Sequence, residues 1–293
     1  MNAAHRFFCA LAALFAAGTA QAACGPDALG TSRTVEIGAG TAPVGLKTYP
    51  RTLALADKEL VLTFDDGPNP PTTDKALRAL ADECVKATFF LIGRNAEAAP
   101  ATVRREIADG HSVGHHSFSH PSVTLRNLSD AAARSDIDRG MAADDRAAYG
   151  TAGAEPRTPF FRFPGFGDTP ALDAWLATRG IAVFGADLWA SDWLPMSPQE
   201  ELALLLGRIE KARKGIVLLH DTRASTVEML PELLRELKRR NYRIVHVVPG
   251  KGPTPIEAAK PGWTSETERT LAHIWPKAPS AMGAAPAPAP GPL

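Results

Sequence analysis

A chain of 293 residues, 45% of them hydrophobic, is long enough for one large α/β domain or two small ones. Lys plus Arg and Asp plus Glu both total 32, so the formal charge is zero. That balance gives no ground for a nucleic-acid or anionic-membrane partner.

Residues 1–22 carry His5 and Arg6, an apolar stretch from Phe7 to Ala17, and then Ala20-Gln21-Ala22. This is the three-part pattern of a secretory signal peptide with a small-residue cleavage site, too short in its apolar core to span a bilayer comfortably. The mature chain is expected to start at Ala23 with a charge of about −1, and to be exported to a periplasm or secreted. Gln21 stands where a lipoprotein signal usually has Leu, which argues against lipidation of Cys24. No later stretch is long and apolar enough for an integral membrane segment. Loss of Cys9 with the leader leaves Cys24 and Cys84. In an oxidising compartment a disulfide between them is slightly favoured over Cys84 as a small buried hydrophobe on the Leu77, Leu80 helical face.

Residues 23–58 form an N-terminal arm, rich in Gly, Thr and Pro from Gly25 to Pro50, with Thr52-Leu53-Ala54-Leu55 expected to pair as a hairpin with Leu60–Thr63. A repeating order begins at 59 and runs to 249. Strand Leu60–Phe64 leads to a helix capped by Thr73, with Ala76, Leu77, Leu80 and Cys84 on one face. Strand Ala87–Ile92 precedes a helix over Ala101–Ala108, stopped by Gly110. Strand His111–His115 leads to a helix opened by Ser129. Strand Pro159–Phe163 is followed by a helix with Thr169 as cap, Pro170 first and Gly180 as stop. After strand Ile181–Ala186, Ser197-Pro198-Gln199-Glu200 forms a capping box, and Leu202, Leu205, Leu206 and Ile209 face inward. Strand Ile216–Leu219, helix Thr226–Arg240 and strand Arg243–Val248 complete the series. Helices alternating with continuously apolar strands predict a parallel sheet covered by helices. The fold class is α/β, a distorted or incomplete (β/α) barrel with about seven parallel strands. Residues 250–275 form a C-terminal extension in which Ile256–Ala259 and Glu266–Trp275 are expected as short helices packing back through Trp263, Ile274 and Trp275. Residues 276–293 form an Ala/Pro-rich tail expected to be disordered.

The chemistry-bearing residues gather at one end of that skeleton. Asp65 and Asp66 end the first barrel strand, where Gly67-Pro68 forbids continuation. His115, His116 and His120 follow the third strand, Arg162 ends the fourth, Asp192-Trp193 follow the fifth, and His220-Asp221 end the sixth. All fall on the carboxyl-terminal face, where barrels of this class carry their sites. His116 and His120, four apart, face one way if they share a helical turn, and with one carboxylate they suit zinc or a neighbouring transition metal. Asp65 and Asp66 are expected to face different partners unless the chain curls at the glycine. His115 is assigned to a local hydrogen bond and Asp221 to the turn.

These residues stand in motifs that resemble, in order, all five of the polysaccharide deacetylases of carbohydrate esterase family four, over roughly two thirds of the chain from Glu59 to Val248. Thr63-Phe64-Asp65-Asp66-Gly67-Pro68 is similar to the first motif, which implies Asp65 as general base and Asp66 as metal ligand. His116-Ser117-Phe118-Ser119-His120 is similar to the second, which implies both histidines as ligands. Arg162-Phe163-Pro164 resembles the third, whose arginine holds the catalytic aspartate. Asp192-Trp193 resembles the end of the fourth, which orients the acid histidine and walls the cleft. Leu218-Leu219-His220 resembles the fifth, with Leu218 in the acetyl pocket and His220 as general acid. The resemblance implies a bound divalent metal, zinc first with cobalt or nickel as alternatives, and a polysaccharide substrate. Two positions depart from the pattern. Gly165 stands where a Tyr is common, keeping an oxyanion N–H without a side chain, and Trp189 replaces an earlier Asp of the fourth motif. Both bear on the shape of the groove. The competing readings are a non-catalytic carbohydrate-binding barrel, an O-acetyl xylan esterase, and a glycosidase, although adjacent carboxylates do not give the separation that two-sided attack needs. No residue pattern specifies an oligomeric state.

Overall fold

A computed structural model describes residue 25 and residues 27–274. The signal peptide, the mature start at Ala23, Cys24, Trp275 and the Ala/Pro-rich tail lie outside the described residues. Cys84 is disulfide-bonded, and Cys24, its expected partner, falls in that undescribed part.

In chain order the elements are β1 (Thr31–Gly38), β2 (Arg51–Leu53), β3 (Glu59–Asp65), α1 (Pro70–Asp82), β4 (Thr88–Leu91), α2 (Gly93–Ala98), α3 (Pro100–Ala108), β5 (Ser112–His115) and α4 (Asp130–Tyr149). They continue with β6 (Phe160–Phe161), α5 (Pro170–Thr178), β7 (Ala182–Val183), β8 (Leu188–Trp189), α6 (Pro198–Ala212), β9 (Gly215–His220), α7 (Ala224–Arg239), β10 (Arg243–Gly250), β11 (Ile256–Ala258) and α8 (Glu266–Ile274).

β3 is buried along its whole length, as an apolar strand without polar alternation must be. Leu60, Leu62 and Phe64 join the cluster packed under the helices, and Val61 joins the one inside the barrel. The two-residue period then places Thr63 and Asp65 on the inner face with Val61. Parallel pairing runs β3-β4-β5-β6-β7 in one direction and β3-β9-β8 in the other. These strands make a nearly closed seven-stranded barrel with one seam, between β7 and β8. Val44 bridges to Phe184 beside that seam.

The strand count agrees with the expectation, but the membership differs. β10, expected as the seventh barrel strand, pairs along its length with β1 and meets β3 only at Arg243↔Glu59 and Ile244↔Leu60. The place in the barrel goes to β8, whose two residues are too few to show a period. The N-terminal arm therefore supplies a full strand, β1. The expected hairpin does not form. β3 has β9 on one side and β4 and β10 on the other, which leaves no edge for Thr52–Leu55, and β2 pairs antiparallel with β11 instead. β11 is thus a strand where a short helix was expected.

The helix ends follow their sequence signals closely. Ser129 accepts from Ala132 N–H, Thr169 accepts from Leu172 N–H, and both bonds of the Ser197–Glu200 capping box are present. One cap differs: α1 starts at Pro70 with Asn69 as N-cap, and Thr73 lies inside it, its hydroxyl accepting from Asn69 N–H at 2.8 Å.

Candidate active site

β3 ends at Asp65 and the chain curls at the next residue, where Asp66 has φ +75°, a left-handed conformation that Asp tolerates. The curl undoes the alternation of an extended strand. Asp65 Oδ2 and Asp66 Oδ1 lie 3.8 Å and 3.6 Å from one atom, His116 Nε2. Asn95 Nδ2 holds the main-chain oxygen of Asp66 at 2.8 Å. Beneath the curl Asp221 is fully buried and accepts from the Thr73 hydroxyl, and burial pushes its carboxyl up to about 7. It also fills the space that a side chain at 67 would need, since a Cβ on Gly67 would stand 2.5 Å from Asp221 Oδ2. Asp221 is thus more than a turn residue.

His116 and His120 do not share a helical turn. They flank a tight loop after β5 in which Ser117 and His120 have φ +64° and +44°. Asp136 Oδ1 accepts the N–H groups of Phe118 at 3.0 Å and Ser119 at 3.1 Å, and Ser117 Oγ accepts that of His120 at 3.1 Å. The loop brings the rings to 5.1 Å between centroids. His115 turns away, its Nδ1 2.8 Å from buried Asp144 Oδ2 on α4, a partner distant in sequence rather than a local one.

The donor set fits a divalent ion. Asp66 Oδ1 and the imidazole nitrogens of His116 and His120 lie within 4.8 Å of one another. The separations from Asp66 Oδ1 to the two Nε2 atoms, 3.6 Å and 3.5 Å, exceed a hydrogen bond. They are close to the ~3.3 Å edge of a tetrahedron with bonds of about 2.0–2.1 Å. Asp66 Oδ1 is buried with no hydrogen-bond partner. Burial, aided by neighbouring His120, holds His116 down to about 3, so its imidazole is neutral. Its Nδ1–H donates to the Arg162 main-chain oxygen at 2.7 Å, which leaves the Nε2 lone pair facing Asp66.

Behind this set sits Arg162, completely buried. Its Nη1 donates to Asp65 Oδ1 at 2.7 Å and Thr63 Oγ1 at 2.8 Å, Nη2 to Gly185 O at 2.9 Å, and Nε to Phe184 O at 3.2 Å. The guanidinium also lies over Phe90, 4.3 Å from the ring centre. Even so, the Asp65 carboxyl is raised, because burial outweighs the opposing charges of Arg162 and His220. Across the cleft His220 Nδ1 donates to Asp192 Oδ1 at 2.8 Å, and Asp192 Oδ2 accepts the His220 main-chain N–H at 2.7 Å. Burial would depress His220, but Asp192, with Asp66 and Asp65, raises it to about 9. Its Nε2 lies 3.8 Å from Asp66 Oδ2.

Asp65, Asp66, His116, His120, Gly165, Trp193, Leu218 and His220 line one cavity of about 380 Å³, with Arg162 and Asp192 packed directly behind it. Gly165 has φ +57° inside a single 3₁₀ turn, a conformation that favours glycine. Phe163, Phe166, Trp189, Arg223 and three residues of α8 also line the cavity. Sequence gave no signal for the α8 residues, since an amphipathic helix shows that it has a buried face but not what covers it.

The polysaccharide deacetylase family profile matches residues 53–173. The chain is 35% identical over 177 residues to the chitooligosaccharide deacetylase of Sinorhizobium fredii, covering 60% of this chain and 77% of that protein. It is 29% identical over 207 residues to the peptidoglycan-N-acetylglucosamine deacetylase of Listeria monocytogenes, covering 70% of this chain but only 41% of that protein. The fold matches a peptidoglycan deacetylase of Bdellovibrio bacteriovorus with a TM-score of 0.66 at 31% identity, over 75% of this chain and 59% of that one. The chain therefore spans less than two thirds of the Listeria and Bdellovibrio relatives. With five motifs converging on one cleft and this identity over most of the Sinorhizobium protein, the chain belongs to the polysaccharide deacetylase family, carbohydrate esterase family four.

Proposed function

We propose that the protein is a divalent-metal-dependent hydrolase that removes acetyl groups, foremost N-acetyl groups of N-acetylglucosamine units, from a polysaccharide outside the cytoplasm. The observation that carries this reading is that a base and an acid flank one ligand set. Asp65 Oδ2 lies 3.8 Å from His116 Nε2, and His220 Nε2 lies 3.8 Å from Asp66 Oδ2. The activities for which the Sinorhizobium and Listeria relatives are named support the sugar, and two imidazoles with one carboxylate favour zinc. The leader-like N-terminus supports export.

When bound by Asp66, His116 and His120, such an ion supplies Lewis acidity toward the acetyl carbonyl and activates water near neutrality. Arg162 occupies Asp65 Oδ1 and so leaves Oδ2 to take the proton of the attacking water. The Gly165 N–H serves as an oxyanion donor. Leu218 packs against the acetyl methyl and Trp193 against the sugar. Asp192 fixes His220 with Nδ1–H inward, and Nε2–H gives its proton to the departing amine as the C–N bond breaks.

Acetate release from N-acetylglucosamine oligomers tests this reading. A chelator should abolish release, and zinc or cobalt should restore it. Asp66→Asn and His116→Ala should lose the metal, as read by native mass spectrometry. Asp65→Asn should keep the metal and turn over about 10²–10⁴-fold more slowly. Near-normal turnover of Asp65→Asn would refute its role, and glycan binding without acetate release would favour a carbohydrate-binding barrel.

A further inference from the structure

One side of the cleft is formed by a segment that the barrel does not need for closure. Thr267, Thr270 and Leu271 of α8 line the same cavity as Asp66, His116 and His120, and Leu271 is only 6% exposed. The helix is fastened at several points. Thr267 N–H donates to Lys47 O at 3.0 Å, and its hydroxyl meets that of Thr48 at 3.0 Å. Trp263 Nε1 donates to Leu46 O at 2.7 Å. Arg126, shortly after the His120 loop, bridges Asp168 Oδ1 at 3.0 Å and Glu268 Oε2 at 3.1 Å. Lys47 pairs with Glu266 and lies 4.6 Å from the ring centre of Trp189. The anchor of α8 thus also braces the aromatic that replaces the motif aspartate. Elsewhere on the rim the surface is bare and apolar, with Trp193 42% and Leu194 53% exposed, a shelf on which a sugar face can lie.

We propose that α8 is a fixed end wall of the cleft, admitting an acetylated sugar at or next to a chain end, or on a short oligosaccharide, and excluding the interior of a long glycan strand. The proposal rests on the deacetylase reading above. An interior sugar carries a neighbour on each side and needs a groove open both ways, whereas here α8 lines one side of the cleft and the exposed apolar shelf of Trp193 and Leu194 offers a strand a path elsewhere on the rim. A cavity of about 380 Å³ lies at the small end of the range of about 300–1,000 Å³ in which one small ligand is buried. Because the wall is tied to two separate segments, residues 46–48 and Arg126, it does not depend on a substrate to form.

The test uses the full, zinc-loaded chain and a hexamer of N-acetylglucosamine, with the freed amines located by mass-spectrometric sequencing. Wild-type protein should deacetylate a terminal unit or its neighbour, and its kcat/KM should not rise from trimer to soluble polymer. A Thr270→Ala/Leu271→Ala variant, which keeps good helix formers, should spread deacetylation inward and raise the polymer-to-trimer ratio of kcat/KM about tenfold. Interior deacetylation by wild-type protein overturns the proposal, and the wild-type map needs no variant to fold. An end-restricted pattern unchanged in a folded double variant overturns it as well. No acetate release from any of these glycans would instead remove the deacetylase reading, and this proposal with it.

Discussion

The main-chain oxygen of Arg162 accepts the Nδ1–H of His116 at 2.7 Å while its guanidinium holds Asp65 Oδ1 at 2.7 Å. One residue therefore orients the proposed ligand imidazole of His116 through its backbone and the proposed base Asp65 through its side chain. The two tasks reside in different atoms, so substitution can separate them.

Arg162→Met should leave Asp65 buried without its cation, at a cost of about 3–5 kcal/mol in stability. Loss of the guanidinium raises the Asp65 carboxyl further, so a smaller fraction of it is ionised and able to accept a proton. Acetate release should fall about 10²–10⁴-fold, while metal stoichiometry holds because the carbonyl at 162 remains. Arg162→Lys should fall short of rescue, since an ammonium cannot reach Asp65, Thr63, Phe184 O and Gly185 O together. Thermal melts with metal analysis check both outcomes, and loss of metal in Arg162→Met would contradict the division of labour.

His220 sets a pH dependence of definite sign. Burial lowers its pKa, and Asp192 with Asp66 and Asp65 outweighs that to hold it at about 9, above the ordinary imidazole value of about 6.5. The charged pair therefore contributes stability that is fully present below about 6.5 and is lost as pH rises through about 9. An NMR titration of metal-stripped protein should find the His220 ring protonated through neutrality. Asp192→Asn should bring it below the ordinary range, because burial then acts with its main opponent gone. In the active protein the same substitution should move the alkaline limb of kcat/KM to lower pH. A wild-type ring that titrates below neutrality would break the assignment of His220 as the acid.

Much of this arrangement is legible in the sequence because long apolar runs and cap residues are local signals. β3, β9 and the Ser197–Glu200 capping box need nothing beyond their own neighbourhoods to be read. The placement of Asp65, Arg162 and His220 on one rim follows from strand ends alone. What is not legible depends on distant partners. β8 has two residues and exists because β9 offers an edge, and β2 pairs with β11 because β3 is already occupied. The His116–His120 spacing was read through a helical turn that does not form, and the left-handed Ser117 and His120 bring the two rings together instead. The position of α8 over the cleft depends on Lys47, Arg126 and Trp263, far apart in the chain.

Gly67 is constrained by contact. A Cβ there would stand 2.5 Å and 2.7 Å from the two Asp221 oxygens, and Asp221 is itself fixed by Thr73. Gly67→Ala should cost about 1–3 kcal/mol through overpacking and weaken metal binding by displacing adjacent Asp66. In an Asp221→Ala background the same alanine should cost less, and a double-mutant cycle measured by denaturant unfolding should show coupling above about 0.5 kcal/mol. Additive costs would mean that the clash is relieved elsewhere.

Thr226 stands between two carboxylates, with its hydroxyl 2.9 Å from Asp192 Oδ2 and 2.8 Å from Glu201 Oε1. Two hydrogen bonds need two protons, and the hydroxyl has one. The Asp192 carboxyl is lowered, since His220 and Thr226 outweigh its burial, so it is the ionised acceptor. Burial pushes Glu201 up, which makes it the carboxyl of the two that takes up a second proton more readily; the expected order is Glu201 donating to Thr226 and Thr226 donating to Asp192. Glu201→Gln keeps a donor and should melt near wild type, whereas Glu201→Leu should not. Thr226→Val should cost about 1–3 kcal/mol and remove a donor from Asp192. The carboxylate then becomes a stronger acceptor for His220, so the His220 pKa should rise, a shift that loss of packing alone would not produce. If Glu201→Gln is as damaging as Glu201→Leu, or the His220 titration does not move in Thr226→Val, the proton is not where this count puts it.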